Sequence, residues 1–115
     1  LDKYPELKAK FTEMKIDLKA NEVVIKATDT LHTSGSDETR GKLIMTNQRL
    51  YFKPLQNSDK HRSLEISPGE IRDILFYNVM SIFPRGLDLI TSDGKKLRFL
   101  MKNRNEWCRQ IAQMC

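Results

Sequence analysis

The residues of this chain best placed to do chemistry are cations. Arg40, Lys42, Lys53, Lys60 and Arg62 lie close together in sequence, and Lys60, His61 and Arg62 are consecutive. Cations gathered on one face attract an anionic surface or ligand. Reactive groups for catalysis do not converge in the same way. His32 and His61 stand far apart, in or beside polar stretches, and are expected to be solvated. No HExxH, paired CxxC or Cys–His cluster at metal spacing occurs. The five glycines fall at turns and strand starts, and none builds a GxGxxG or a P-loop. No Ser, His and acid set suggests a triad. The residues therefore point to a binding protein with no catalytic residue, metal or cofactor.

The cations must be positioned by strands. In "GKLIMTNQRLYFKPL", Gly41 to Leu55, apolar and polar residues alternate, pause at Thr46-Asn47-Gln48-Arg49, and alternate again. Such a pattern reads as a hairpin. A two-residue turn at Asn47-Gln48 sets Met45 against Leu50, Leu43 against Phe52, and Lys42 against Lys53. The two apolar pairs then share one face, so the register is self-consistent. Lys42 and Lys53 become a like-charge pair, mildly unfavourable, with Arg40 on the same outward face. An anion there would relieve the repulsion; splaying into water would relieve it too.

A second hairpin, "LDLITSDGKKLRF", rejects the two-residue Asp-Gly turn. That turn would set inward Leu89 against Arg98. A three-residue loop, Ser92-Asp93-Gly94, with Gly94 at positive φ, pairs Leu89 with Leu97, Asp88 with Arg98 and Leu87 with Phe99.

The remaining elements complete the frame. Pro5 to Leu18 carries Leu7, Phe11, Met14 and Leu18 at helical spacing, with lysines behind them. Glu22 to Leu31 is a β-branched strand, followed by a polar loop, His32 to Arg40. Short strands follow at Ser63–Ser67 and Ile71–Val79, and Pro84-Arg85-Gly86 makes a turn. Ile82-Phe83 beside it is either a wedge into lipid or a partner, or a turn anchored in the core. The chain ends in a helix, Asn103 to Cys115. Asn103 and Glu106 are spaced as a capping box, and Trp107, Ile111 and Met114 form an inward stripe widened by Cys108, Ala112 and Cys115. A mainly β domain with helices (α+β) is expected: one domain over 1–115, with 1–18 as an N-terminal helical extension. About seven antiparallel strands form a partly open barrel or sandwich, and the helix over 103–115 caps its open end.

"GKLIMTNQRLYF", "LEISPGEIRDI", "FPRGLDLITSDGKKLRF" and "NEWCRQI", preceded by "LKANEVVI", together resemble the GRAM domain, a branch of the pleckstrin-homology-like (PH-like) fold. The nearest relatives by this resemblance are small, mostly bacterial single-domain proteins. The resemblance implies a binding module, since some members bind phosphoinositides or other anionic lipids. The PH-type basic signature maps onto Lys26, Arg40 and Lys42, with Lys where the pattern has Arg.

The 115 residues, 39% apolar and 30% charged with a formal net charge of +5, suit one solvated domain with anionic partners. No apolar run approaches the ~20 residues of a membrane helix, and no signal peptide is visible. Cys108 and Cys115, seven residues apart on a helix, lie roughly 10 Å apart along it, too far to pair. A cytoplasmic setting, peripheral to a membrane, is expected. The expected partner is an anionic phospholipid or a protein. Nucleic acid is disfavoured, because Phe52 and Phe99 point inward and leave mainly Tyr51 to stack on bases. The rival expectation is a self-associating homo-oligomeric module with no lipid role.

Overall fold

In the computed structural model, residues 16–80 and 83–114 are described. Seven strands form one antiparallel sheet: β1 (Val24–Ser34), β2 (Asp37–Thr46), β3 (Leu50–Pro54), β4 (Leu64–Ile66), β5 (Ile71–Val79), β6 (Phe83–Thr91) and β7 (Lys96–Leu100). Their order across the sheet is β4-β3-β2-β1-β7-β6-β5. The 3-10 turns Asn57–Arg62 and Pro68–Glu70 flank β4, and helix α1 (Arg104–Met114) closes the described chain. Most of the expected N-terminal helix lies outside the described residues, as do Ile82 and Cys115; Ile16–Lys19 has no regular structure.

Both hairpin registers follow the alternation. Met45 faces Leu50, Leu43 faces Phe52, and Lys42 faces Lys53. Leu89 faces Leu97, Asp88 faces Arg98, and Leu87 faces Phe99. Gly94 has φ +85°, and Thr91 N donates to Lys95 O at 2.9 Å. The pair Asp88–Arg98 lies on the outer face but is less solvated than an outer pair suggests. Asp88 is buried, covered by a bidentate Arg98 at 2.9 and 3.0 Å.

The inner face carries the core: Leu43, Met45, Leu50, Phe52, Ile66, Leu87, Leu89, Phe99, Met101, Trp107 and Ile111. Gly41 keeps the sheet tight, because a Cβ there would collide with the Lys53 carbonyl and the Phe52 ring. On α1, Trp107 and Ile111 are fully buried. Cys108 and Met114 pack partly against the core, while Ala112 is exposed and does not widen the stripe. The expected capping box is not made in full: Asn103 Oδ1 meets no donor. Glu106 instead pairs with Lys26 at 2.7 Å and so pins α1 to β1.

The expected polar loop over His32–Arg40 is mostly strand. β1 runs on to Ser34, which faces Asp37, and only Gly35 and Ser36 turn the chain, Gly35 at φ +62°. His32 is accordingly buried, not solvated. Its ring stacks on Phe99 at 4.7 Å and tilts on Phe52 at 5.2 Å. A carbonyl can only accept, so Nδ1–H donates to Arg98 O at 2.9 Å. Burial pushes the imidazole pKa down. Thr30 (to Leu100 O, 2.8 Å) and Thr39 face inward beside it. This end of the core is closed by polar side chains satisfied by β7 carbonyls and by Arg62, so the apolar alternation fades where the strands do not.

Candidate functional site

Alternation along β2 and β3 gives the outer face a fixed sequence of pairs. Ile44 faces Tyr51, then Lys42 faces Lys53, and the turn residues Thr46 and Arg49 close one end. Arg40 continues the face at the other end and is exposed. Lys42 has a second neighbour that the hairpin alone does not reveal: Asp29 of β1 lies directly opposite it. The Lys42–Lys53 repulsion therefore has an acid beside it.

Beyond β3, the chain bends through Gln56 into the 3-10 turn and encloses a groove of about 510 Å³. Arg49, Tyr51, Lys53, Gln56, Asn57 and Lys60 line it, together with Ile16 and Asp17. Two of the expected site residues, Lys53 and Lys60, thus share one groove, and Lys42 pairs with the first of them. Arg62 does not join. Its Nη1 donates to Thr39 Oγ1 at 2.9 Å, and its Nη2 is 3.9 Å from Asp37. Arg62 ties the 3-10 turn to the β1–β2 turn, which makes the two loops neighbours. Lys26 does not join either. It faces Met45, on the inner side of the sheet, and lies over Trp107 at 5.9 Å. The Lys…Arg-x-Lys signature is split between opposite faces. Ile82 lies outside the described residues, and Phe83 is described only as the backbone start of β6.

Arg49, a buried cation with several side-chain hydrogen bonds, was not among the expected site residues. Its Nε and Nη2 grip Glu22 at 2.8 and 3.0 Å, Nη1 reaches Glu65 at 2.5 Å, and Nη2 also donates to Asp17 O at 2.8 Å. Thr46 Oγ1 donates to the same Glu22 at 2.6 Å. Asn47 mimics a strand partner: its Oδ1 accepts from Val23 N at 2.8 Å and its Nδ2 donates to Asn21 O at 3.0 Å. Gln48 Nε2 donates to Ala20 O at 2.9 Å. The four turn residues thereby latch residues 17–23, of which Asp17 lines the groove. The Arg49 guanidinium holds the Glu22 carboxyl down at about 2, helped by Thr46 and the Lys19 amide against the cost of burial. Arg49 and then Lys19 also lower Glu65, and Glu22 raises Arg49 above its usual range. The polar run "TNQR" was the available signal, but its partner Glu22 lies 27 residues from Arg49.

Among the described residues, no three His, Cys, Asp or Glu side chains are grouped to hold a metal ion. No described helix is long and apolar enough to cross a membrane.

Comparison with known proteins turns on the fold. No family model matches the chain, and no curated protein matches it. Solved structures do. The C-terminal domain of an unknown protein from Leishmania infantum superposes with a TM-score of 0.69 at 16% identity, covering 93% of both chains. The Vps36 N-terminal PH domain superposes with a TM-score of 0.65 at 13% identity, over 84% of this chain and 81% of that one. The fold is PH-like. The linker-DH/PH domains of p115-RhoGEF give 0.63 at 8% identity, over 95% of this chain and 33% of that one. This PH-like chain therefore spans about a third of the RhoGEF chain. In this PH-like domain the basic groove opens on the outer face of β3, while α1 plugs the inner side of the sheet.

Proposed function

We propose that this PH-like domain is a GRAM-type, non-catalytic binding module whose β2–β3 outer face and groove take an anionic phospholipid headgroup at a membrane surface. The observation that carries the reading is the shared groove of Lys53 and Lys60, with Lys42 and Arg40 continuing the same face. Each such cation contributes about 1 kcal/mol near an anionic leaflet. Four give roughly 4 kcal/mol, a millimolar attachment. A second contact on the membrane, or a second copy of the chain, must add avidity. The reading places the protein peripherally on the cytoplasmic face.

Sedimentation with phosphatidylcholine vesicles, with and without an anionic lipid, tests it at low and physiological salt. The protein should pellet only with anionic vesicles, and less at higher salt. Equal pelleting with neutral vesicles, or none with either, defeats the reading.

A further inference from the structure

β5 is the last strand of the sheet, and among the described residues no strand pairs with its far edge. The direction of its main-chain groups follows from one bond. Met101 N donates to Arg85 O at 2.8 Å, so alternation turns Leu87 and Leu89 toward β7, and Gly86, Asp88 and Ile90 toward β5. Their partners Tyr77, Leu75 and Asp73 point back at β6. The amides and carbonyls of Ile74 and Phe76 therefore face the open edge. There Ile74 N is met by Asp73 Oδ1 of its own chain, at 2.8 Å. Leu75 and Phe76 are 45% and 46% exposed. An edge of this kind is a template for another strand.

Two observations select the occupant. The regular part of β5 runs from Asp73 to Tyr77, bounded by register irregularities on both sides, and its centre is Leu75. Polarity is symmetric about that same residue: Ile74 and Phe76 are apolar, Asp73 and Tyr77 polar, Arg72 and Asn78 polar. A two-fold contact needs a self-complementary strand, and this strand is one. We propose that two copies of the chain associate by antiparallel β5–β5 pairing, with the two-fold axis at Leu75.

In this register Ile74 N leaves Asp73 Oδ1, Ile74 exchanges main-chain hydrogen bonds with the partner's Phe76, and Leu75 meets the partner's Leu75. Asp73 faces the partner's Tyr77 and Arg72 the partner's Asn78, so no like charges oppose. A one-residue shift sets the outer face of one copy beside the inner face of the other. A two-residue shift sets Asp73 or Tyr77 against the partner's Leu75. The contact is small, at the weak end of interface sizes, with a Kd on the order of 100 µM.

Sedimentation equilibrium of the whole chain from about 10 µM to about 1 mM should show monomer passing to dimer. Leu75→Arg opposes two cations and should weaken the dimer at least ~10-fold, with unchanged melting because Leu75 is exposed. In a Cys108→Ala, Cys115→Ser background, Leu75→Cys should oxidise to a covalent dimer, since directly opposed Cα atoms lie within disulfide reach. Arg72→Cys, far from its own copy in this register, should not. Monomer mass at about 1 mM, a dimer indifferent to Leu75→Arg, or equal cross-linking at 72 and 75 each overturn the pairing. The Lys53→Glu, Lys60→Glu double variant should dimerise as the parent does, whatever happens to its lipid binding.

Discussion

The two ends of the β2–β3 outer face carry similar charges to opposite effect. At the turn, Arg49 is buried at 7% exposure and bonded to Glu22, Glu65 and a backbone carbonyl. Further along, Lys42 and Lys53 are half-buried, and Lys60 is exposed beside the groove. The first cluster is balanced, with Lys19 and Arg49 against Glu22 and Glu65, and it holds a segment of chain. The second has Asp29 beside Lys42 and Asp17 on the groove wall, with cations in excess once Arg40 and Lys60 are added. Cations that anchor backbone are committed to the fold. Arg40 and Lys60 stay exposed on the open face, so counting positive charges along the sequence does not tell a structural cation from a surface one.

The largest effect should come from the buried end. Arg49→Ala leaves Glu22 buried without its cation and releases residues 17–23, and breaking a buried pair in this way is strongly destabilising. Thermal unfolding should fall by more than about 5 °C, and anionic-vesicle binding should weaken as the groove loses the Arg49 cation that lines it. A Tm equal to the parent's would mean that the latch does not hold the segment.

Acid should separate the two ends next. Glu22 has its pKa lowered from 4.5 to about 2. Its stabilisation is therefore complete above about 4.5 and is lost as pH falls toward 2. His32 acts in a higher window. Its folded pKa is lowered from 6.5, so the unfolded chain takes the proton first and stability declines as pH drops below 6.5. Urea midpoints measured from pH 8 to 2 should show the lower-pH decline shrink in Glu22→Gln, with Glu65 supplying part of what remains, and persist in full in Lys53→Glu.

The open end should show the reverse pattern. Lys53→Glu with Lys60→Glu should change stability by less than about 0.5 kcal/mol per site while abolishing salt-sensitive pelleting with anionic vesicles. A stability loss as large as that of Arg49→Ala would show that these lysines, too, are structural. The smallest effect should be that of Asp29→Asn. Removing the acid opposite Lys42 should strengthen anionic-vesicle binding by roughly 2- to 5-fold, on the order of 0.5–1 kcal/mol. Unchanged binding would remove Lys42 from the ligand face.

Much of the fold was legible because its signals are local. Period-two alternation and turn geometry together allow one register per hairpin, which is why Leu43–Phe52 and Leu89–Leu97 could be paired without coordinates. Trp107 and Ile111 declared the buried side of α1 by helical spacing. The signal failed where inward residues are polar. Thr39 and His32 look like loop, and only the Arg98 carbonyl, the Phe99 ring and the Arg62 guanidinium make them core.

The candidate site divides along the same line. That Lys42 opposes Lys53 is a property of the hairpin sequence, because neighbouring strands and a short turn leave no other apolar match. That Lys60 shares a groove with Lys53 depends on how the 3-10 turn folds back. That Asp29 flanks Lys42, that Glu106 takes Lys26, and that Glu22 takes Arg49 depend on pieces of chain brought together from far apart. Sequence determines which groups are charged and which way a strand points them. Only tertiary packing decides which opposite charge arrives within hydrogen-bonding distance, because Coulomb attraction at a protein surface fades over a few ångströms of water while the intervening chain spans tens of residues.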